Sequence, residues 1–227
     1  MKMDMHCHTI FSYDAFAPLT GIIKACEENG INCLAITDHN TVEGAYRLQK
    51  ISPFKVVIGE EIKTSEGEII GLFIKDEIQP YLSPEETMAE IKRQGGIVYL
   101  PHPFAWLRNR GFTKEKLDKL AKKIDIVEVL NSRSLNSHFN QAAQDFATLN
   151  GLLAGAGSDA HSIFEIGNAL VEIVEFDTAE DFLENLKKAK IHGRQTPVFI
   201  RILMNRFIRK GLRRLSSGIN NGESICN

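Results

Sequence analysis

Four cysteines in 227 residues, with no CxxC pair and no framework spacing, exclude a disulfide-stapled scaffold. No run of about 18 apolar residues occurs, so no membrane-spanning helix is expected. Internal repeats and low-complexity tracts are absent, which excludes solenoids and linker-like chains. There is one Trp, and the net charge is only −2. What remains is ordinary globular composition, 43% hydrophobic and 25% charged, enough for one large domain with a substantial core. The opening Met1-Lys2-Met3-Asp4-Met5-His6 puts an acid and a histidine where a signal peptide needs an apolar stretch. A cytoplasmic location with Cys7, Cys26, Cys33 and Cys226 as reduced thiols is therefore expected.

The small net charge hides an asymmetry. Residues 1–193 sum to −8 and residues 194–227 to +6. An acidic body carries no general nucleic-acid footprint. In the basic part, Arg201, Asn205, Arg206, Arg209, Lys210, Arg213 and Arg214 fall on one helical face, and Ile202, Leu203, Phe207, Ile208, Leu212 and Leu215 on the other. This reads as a basic amphipathic helix over 197–215, followed by a tail over 216–227. Three roles stay open for it: docking on the body, lying on an anionic membrane, or touching nucleic acid. No obligate protein partner is inferred.

Over the rest of the chain, short apolar runs alternate with helix-like segments. The runs lie near 2–5, 33–37, 54–58, 97–100, 124–130, 152–156 and 169–174, several of them rich in β-branched residues. The helical segments lie near 19–28, 42–50, 85–94, 114–122, 136–150 and 179–189. Ser83-Pro84-Glu85-Glu86 is a helix start, with a capping Ser, a first-turn Pro and acids at the positive helix end. One hairpin interrupts the alternation, 60–65 and 68–74 around Glu66-Gly67. About seven strands alternating with helices predict parallel strands covered by helices, a closed or nearly closed β/α barrel. An open doubly wound sheet is the alternative.

Polar residues follow almost every apolar run. His6 and His8 follow the first, Asp38 and His39 the second, Glu60 and Glu61 the third, and His102 the fourth. Glu128 and Asn131 end the fifth, and Asp159 and His161 follow the sixth. In a parallel barrel these strand ends share one face, the face that carries active sites. Five of the seven histidines fall there; His138 and His192 lie in helical or surface contexts. A lone histidine after a strand is more often structural, but unrelated structural histidines have no reason to share one face. Imidazoles with carboxylates suit Zn, Mn or Fe, whereas without an ion the clustered carboxylates would repel. His6-x-His8 puts both rings on one strand face. Only one of the adjacent Glu60 and Glu61 can point inward. Asp38 reads equally as a helix cap or as an anchor for the site, and Asp14 could be a simple turn residue.

These residues, in this order, resemble the PHP family, named for polymerase and histidinol phosphatase domains. The likeness covers most of 3–175. It rests on Asp4-Met5-His6-Cys7-His8-Thr9 with Ser12-Tyr13-Asp14, Thr37-Asp38-His39-Asn40, Gly59-Glu60-Glu61, Pro101-His102-Pro103 and Gly157-Ser158-Asp159-Ala160-His161. The resemblance is to short, stand-alone members. It implies an α/β fold, a distorted (β/α)7 barrel over 1–196 with a metal cluster at the strand C-terminal ends. It also implies two or three divalent ions (Mn, Zn or Fe) and phosphoester hydrolysis. By that resemblance His6, His8, Glu61 and Asp159 hold one ion. Glu61 bridges to a second on His102, and Asp14, His39 and His161 hold a third. Family members often add a His or Cys to the second ion after the fifth strand. Here Asn131 or Glu128 would have to substitute, or water would complete the shell.

Two ions about 3.5–4 Å apart can hold a bridging hydroxide for in-line attack on phosphorus, so no separate nucleophilic side chain is required. Arg133, then Arg108 and Arg110, are candidates to grip the phosphate, against the plain reading of solvated loop charges. Trp106 and Phe104 could stack on a base or pack under a loop. The expected substrate is a small phosphomonoester, a nucleotide or a short oligonucleotide. The alternative is a non-catalytic metal-binding accessory domain.

Overall fold

The computed structural model describes residues 1–104 and 112–197. In chain order the elements are β1 (Lys2–Cys7), α1 (Leu19–Asn29), β2 (Cys33–Ile36), α2 (Glu43–Ile51), β3 (Lys55–Lys63), β4 (Glu68–Leu72), α3 (Pro84–Arg93) and β5 (Ile97–Leu100). They continue with α4 (Lys114–Leu120), a 3-10 turn (Ala121–Lys123), β6 (Ile126–Asn131), α5 (Ser137–Asn150), β7 (Leu153–Gly157), β8 (Ala169–Glu172), α6 (Ala179–Leu186) and β9 (Lys190–Gly193).

The strands form one sheet in the order β7-β6-β5-β4-β3-β2-β1-β8-β9. β1–β2, β2–β3, β5–β6 and β6–β7 are parallel; β4 runs antiparallel between β3 and β5. The sheet curls back on itself beyond β7. Cys7 and Ala160 form a parallel bridge, His8 N–H donates to Ala160 O at 2.9 Å, and Asp159 N–H donates to His6 O at 2.8 Å. The result is a nearly closed, strand-rich barrel.

Strand alternation sorts the side chains. Val57 and Ile70 point inward with Met3, Met5, Tyr99 and Ile126. Val56, Ile58, Ile62 and Ile69 point outward to a second apolar layer that includes Ile22, Leu48, Ile91, Leu117 and Phe146 from the helices. Helix ends follow their local signals. Ser83 accepts from Glu86 N and Glu86 reaches back to Ser83 N, a complete capping box with Pro84 in the first turn. Gly30 and Gly151 close α1 and α5 in the left-handed region.

Two expectations need correction. The run at 54–58 and the hairpin arm at 60–65 are one strand, β3, whose pleat carries straight through Gly59. The run at 169–174 is not a parallel barrel strand: β8 pairs antiparallel with β1. Its partner β9 went unread because Lys190-Ile191-His192-Gly193 is a short polar edge with no apolar run. His192 also has a partner, Glu172 across that hairpin at 3.2 Å. The helix expected over 197–215 and the tail over 216–227 fall outside the described residues, apart from Pro197, as do Trp106, Arg108, Arg110 and Cys226. No helix among the described residues is long and apolar enough to cross a membrane.

Candidate metal centre

The polar strand ends do meet. On β1 the register shifts between Asp4 and Cys7, a bulge that brings the His6 ring inward directly after inward-facing Met5. His6 Nε2 and His8 Nε2 then lie 3.2 Å apart. Glu61 Oε2 stands 3.5 Å from His6 Nε2, 3.3 Å from His8 Nε2 and 3.1 Å from His39 Nδ1, and its Oε1 lies 3.0 Å from His102 Nε2. Asp159 Oδ1 is 3.5 Å from His8 Nε2 and 3.4 Å from His161 Nδ1. Asp14 is no bare turn residue: its carboxylate lies 3.5 Å from His39 Nε2 and 3.3 Å from His161 Nε2. Among the described residues, donor atoms fall within 4.8 Å of one another in three triads: His6–His8–Glu61, His8–His39–His161 and His39–Glu61–Glu68.

Hydrogen bonds around the rings fix which nitrogen faces the centre. Glu128 Oε1 lies 3.0 Å from His6 Nδ1, so that nitrogen carries a proton and Nε2 faces the centre. His8 Nδ1 lies 3.0 Å from Ser12 Oγ, and Ser12 donates its own hydrogen to Asp38 Oδ1 at 2.9 Å. His8 therefore donates to Ser12, and its Nε2 also faces inward. Two Nε2 atoms 3.2 Å apart, flanked by carboxylates, form an arrangement that a divalent cation satisfies by displacing their protons. The donor set fits an ion held by His6, His8, Glu61 and Asp159, and one held by Asp14, His39 and His161.

Asp38 acts as the anchor. Besides Ser12 it accepts from Thr9 N at 2.6 Å and Thr9 Oγ1 at 2.7 Å, tying the loop after β1 to the end of β2. It caps no helix; α2 begins without a side-chain cap. Two glycines permit the close packing. A Cβ on Gly157 would fall 2.3 Å from His6 Cβ, and one on Gly44 would fall 2.1 Å from Asp38 Oδ2. His102 (φ 28°) and Asp159 (φ 53°) adopt left-handed conformations rarely taken by such residues, and both belong to the cluster.

The electrostatics follow. Burial opposes charge on His6, but the charges of Glu128, Glu61 and Asp159 outweigh it and raise its pKa well above normal. His8 likewise rises to about 9, against burial, through Asp159 and Glu61. His161 goes the other way, to about 3, because burial is joined by the charges of Arg133 and His8. Glu61 and Asp159 are driven well below the usual carboxylate range despite burial, Glu61 chiefly by His39 and His6, Asp159 chiefly by His6 and His8. Without ions, the carboxylates hold protons on neighbouring imidazoles as substitute cations.

The remaining candidates take other positions. Glu60 points away from the centre and accepts from Ile78 N at 2.9 Å. Asn131 donates to Glu128 Oε2 at 2.9 Å and Asp159 Oδ2 at 3.3 Å, and its carbonyl accepts from Arg133 N at 2.8 Å. Arg133 is buried; its Nη1 donates to Asp159 O at 3.3 Å and its Nε lies 3.4 Å from Glu165 Oε1. Phe104 packs edge-on against Phe146, the plainer of its two readings. Glu68 was missed. Its β-register opposite Lys63, one pleat beyond Glu61, is the sequence signal that could have found it.

Fold and site together define a nearly closed barrel with a histidine–carboxylate centre at its strand ends. Residues 137–191 match the family described as PHP-associated. The chain is 35% identical over 197 residues to the uncharacterized protein MJ0417 of Methanocaldococcus jannaschii, covering 82% of this chain and 79% of that one. A crystal structure of a two-domain Bacteroides vulgatus protein, described as containing a predicted PHP-like metal-dependent phosphoesterase, superposes with a TM-score of 0.70 at 16% identity. That match covers 86% of this chain and 65% of the other, so the chain spans just under two thirds of that relative's length. PsfC from Pseudomonas syringae superposes with a TM-score of 0.69 at 15% identity, covering 92% and 98% of the two chains. This chain belongs to the PHP domain family.

Proposed function

We propose that the protein is a metal-dependent phosphoesterase acting on a small phosphomonoester, a nucleotide or a short oligonucleotide, on a distorted (β/α)7 barrel to which β8 and β9 are appended. The carrying observation is the pair of inward Nε2 atoms of His6 and His8, 3.2 Å apart between Glu61 and Asp159. The Bacteroides vulgatus relative's description supports the same reading. Divalent Mn, Zn or Fe would supply Lewis acidity toward the phosphoryl oxygens and acidify water at neutral pH. The chain's own residues do the rest. Glu128 and the Ser12–Asp38 pair hold His6 and His8 in the tautomers that leave Nε2 free. Glu61, with both oxygens facing imidazoles, spans the centre. Arg133, buried beside Asp159, supplies a positive head for a phosphate oxygen.

A cytoplasmic setting fits the three free, buried thiols among the described residues; burial pushes Cys26 and Cys33 up to about 12, which keeps them inert. The basic segment after Pro197 serves docking or contact with an anionic surface, and truncation after Thr196 separates the two. Loss of stability marks docking; loss of salt-sensitive vesicle or oligonucleotide binding marks contact.

The central test is phosphate release from a panel of phosphomonoesters, nucleotides and short oligonucleotides by metal-replete protein. Activity abolished by chelation and restored by Mn is expected. Tight metal binding with no turnover on any substrate would favour a non-catalytic accessory domain.

A further inference from the structure

His102 belongs to none of the three donor triads. It reaches Glu61 Oε1 at 3.0 Å, and the β6 residues that could complete a cation position beside it are committed elsewhere. Glu128 accepts from His6 Nδ1 and the Tyr99 hydroxyl on one oxygen, and from His102 N and Asn131 Nδ2 on the other. Asn131 uses its amide on two carboxylates and its carbonyl on Arg133 N. An amide nitrogen aimed at two carboxylates is a donor and cannot coordinate a cation. The next histidine, His138, is exposed at the start of α5.

The triad that includes Glu68 does not add an ion. A neutral imidazole offers one lone pair. His39 Nε2 faces Asp14 at 3.5 Å, beside His161, and His39 Nδ1 faces Glu61 at 3.1 Å. When Nε2 coordinates, Nδ1 carries the proton and directs it at the carboxylate of Glu61. Glu61 is then the carboxylate that positions His39, on the pattern of carboxylate–histidine–metal chains, and Glu68 adds negative charge within 4.8 Å of them.

Beside Asp159 the chain has a built-in cation. The Arg133 guanidinium is 7% exposed and bonded through Nη1 to Asp159 O; the same nitrogen lies 4.0 Å from Asp159 Oδ1. Its backbone is pinned by Asn131, the residue that stands where another ligand could have been.

We infer that this chain builds a centre for two cations, not three, and that the Arg133 guanidinium supplies the third positive charge beside a bound phosphate. The inference rests on the phosphoesterase reading above. It is tested first by counting metal per chain, by elemental mass spectrometry, in protein purified in excess Mn. Two equivalents are expected. Three overturn the inference and leave the phosphoesterase reading standing, whereas one or none overturns both. Glu68→Gln and His102→Gln should each keep two equivalents; loss of one from either variant overturns the two-cation assignment. Arg133→Gln should also keep two equivalents while binding inorganic phosphate about tenfold more weakly by calorimetry, the loss of one charge-assisted, two-pronged contact. Unchanged phosphate affinity overturns the role given to Arg133. Arg133→Lys covers the case in which the Gln variant does not fold. It keeps the charge but loses the planar fork, so weakened but measurable phosphate binding is expected, and wild-type affinity would count against the assignment.

Discussion

The lower half of the barrel interior is packed with Met3, Met5, Val57, Ile70, Tyr99 and Ile126; the upper half, a few residues further along the same strands, holds His6, His8, Glu61 and Asp159. Both halves are withdrawn from water. In the lower half each large side chain contributes about 1.5–3 kcal/mol by leaving water. In the upper half the same burial works against every charge, and only mutual pairing and bonds to Glu128, Ser12 and Asn131 offset it. One half holds the fold together, and the other uses the rigidity so gained to hold unlike charges at contact distance.

The largest effect should come from the polar half. Glu61→Gln keeps the shape but removes the charge facing four imidazoles, and turnover should fall by about 10²–10³-fold or more with loss of metal. Circular dichroism should show the fold intact. A collapse of the fold would mean that the upper half carries stability as well.

Ile126→Ala in the apolar half should do the converse. Chemical denaturation should show a loss of about 2–5 kcal/mol, with metal content and turnover per folded molecule unchanged. A variant that keeps its stability but loses turnover would break the division between halves.

Ser12→Ala tests the layer between them. It removes the link from His8 Nδ1 to Asp38 and the acceptor for His39 N, and metal affinity should weaken by about 10–100-fold with little change in unfolding temperature. Competition with a chelator measures it.

The smallest effect belongs to Glu60, which precedes Glu61 on β3 but points away from the centre. Burial raises its pKa from 4.5 to about 8, opposed by the Ile78 N–H and aided by Glu77. It is therefore mostly protonated at neutral pH, and Glu60→Gln should leave turnover there nearly unchanged. The pH dependence has a definite sign. A raised carboxyl pKa gives a contribution that is complete below pH 4.5 and is lost as pH rises toward 8. Wild-type unfolding temperature should decline over that range, and the Gln variant should decline less. An identical slope in the two proteins would show that the Glu60 carboxyl is not held neutral.

Much of this was legible from local pattern. The capping box at Ser83, the left-handed glycines after α1 and α5, and the apolar runs of β1, β2, β5, β6 and β7 are short-range signals, and each produced the element expected of it. That only one of Glu60 and Glu61 faces inward followed from strand period, and the family resemblance pointed to Glu61. What escaped was set at long range. β9 has no apolar run and exists because β8 offers it an edge. Glu68 joins the centre only through its register on β3. Asp38 looked equally like a cap and an anchor until Thr9 and Ser12 were seen to converge on it across the β1–β2 boundary.

The sequence by itself determined which residues could coordinate and on which strands they would stand, because ligand chemistry resides in side-chain type and strand period is a local property of the backbone. The tertiary structure alone decided which of those residues are left free to coordinate. Asn131, Glu128 and His102 all stand at strand ends, yet hydrogen bonds from separate strands commit Asn131 and Glu128 to positioning other groups and leave His102 outside the donor triads among the described residues. A lone pair or a proton can be assigned to a polar atom only when its neighbours in space are known, and those neighbours come from segments more than a hundred residues apart, as with His6 and Glu128.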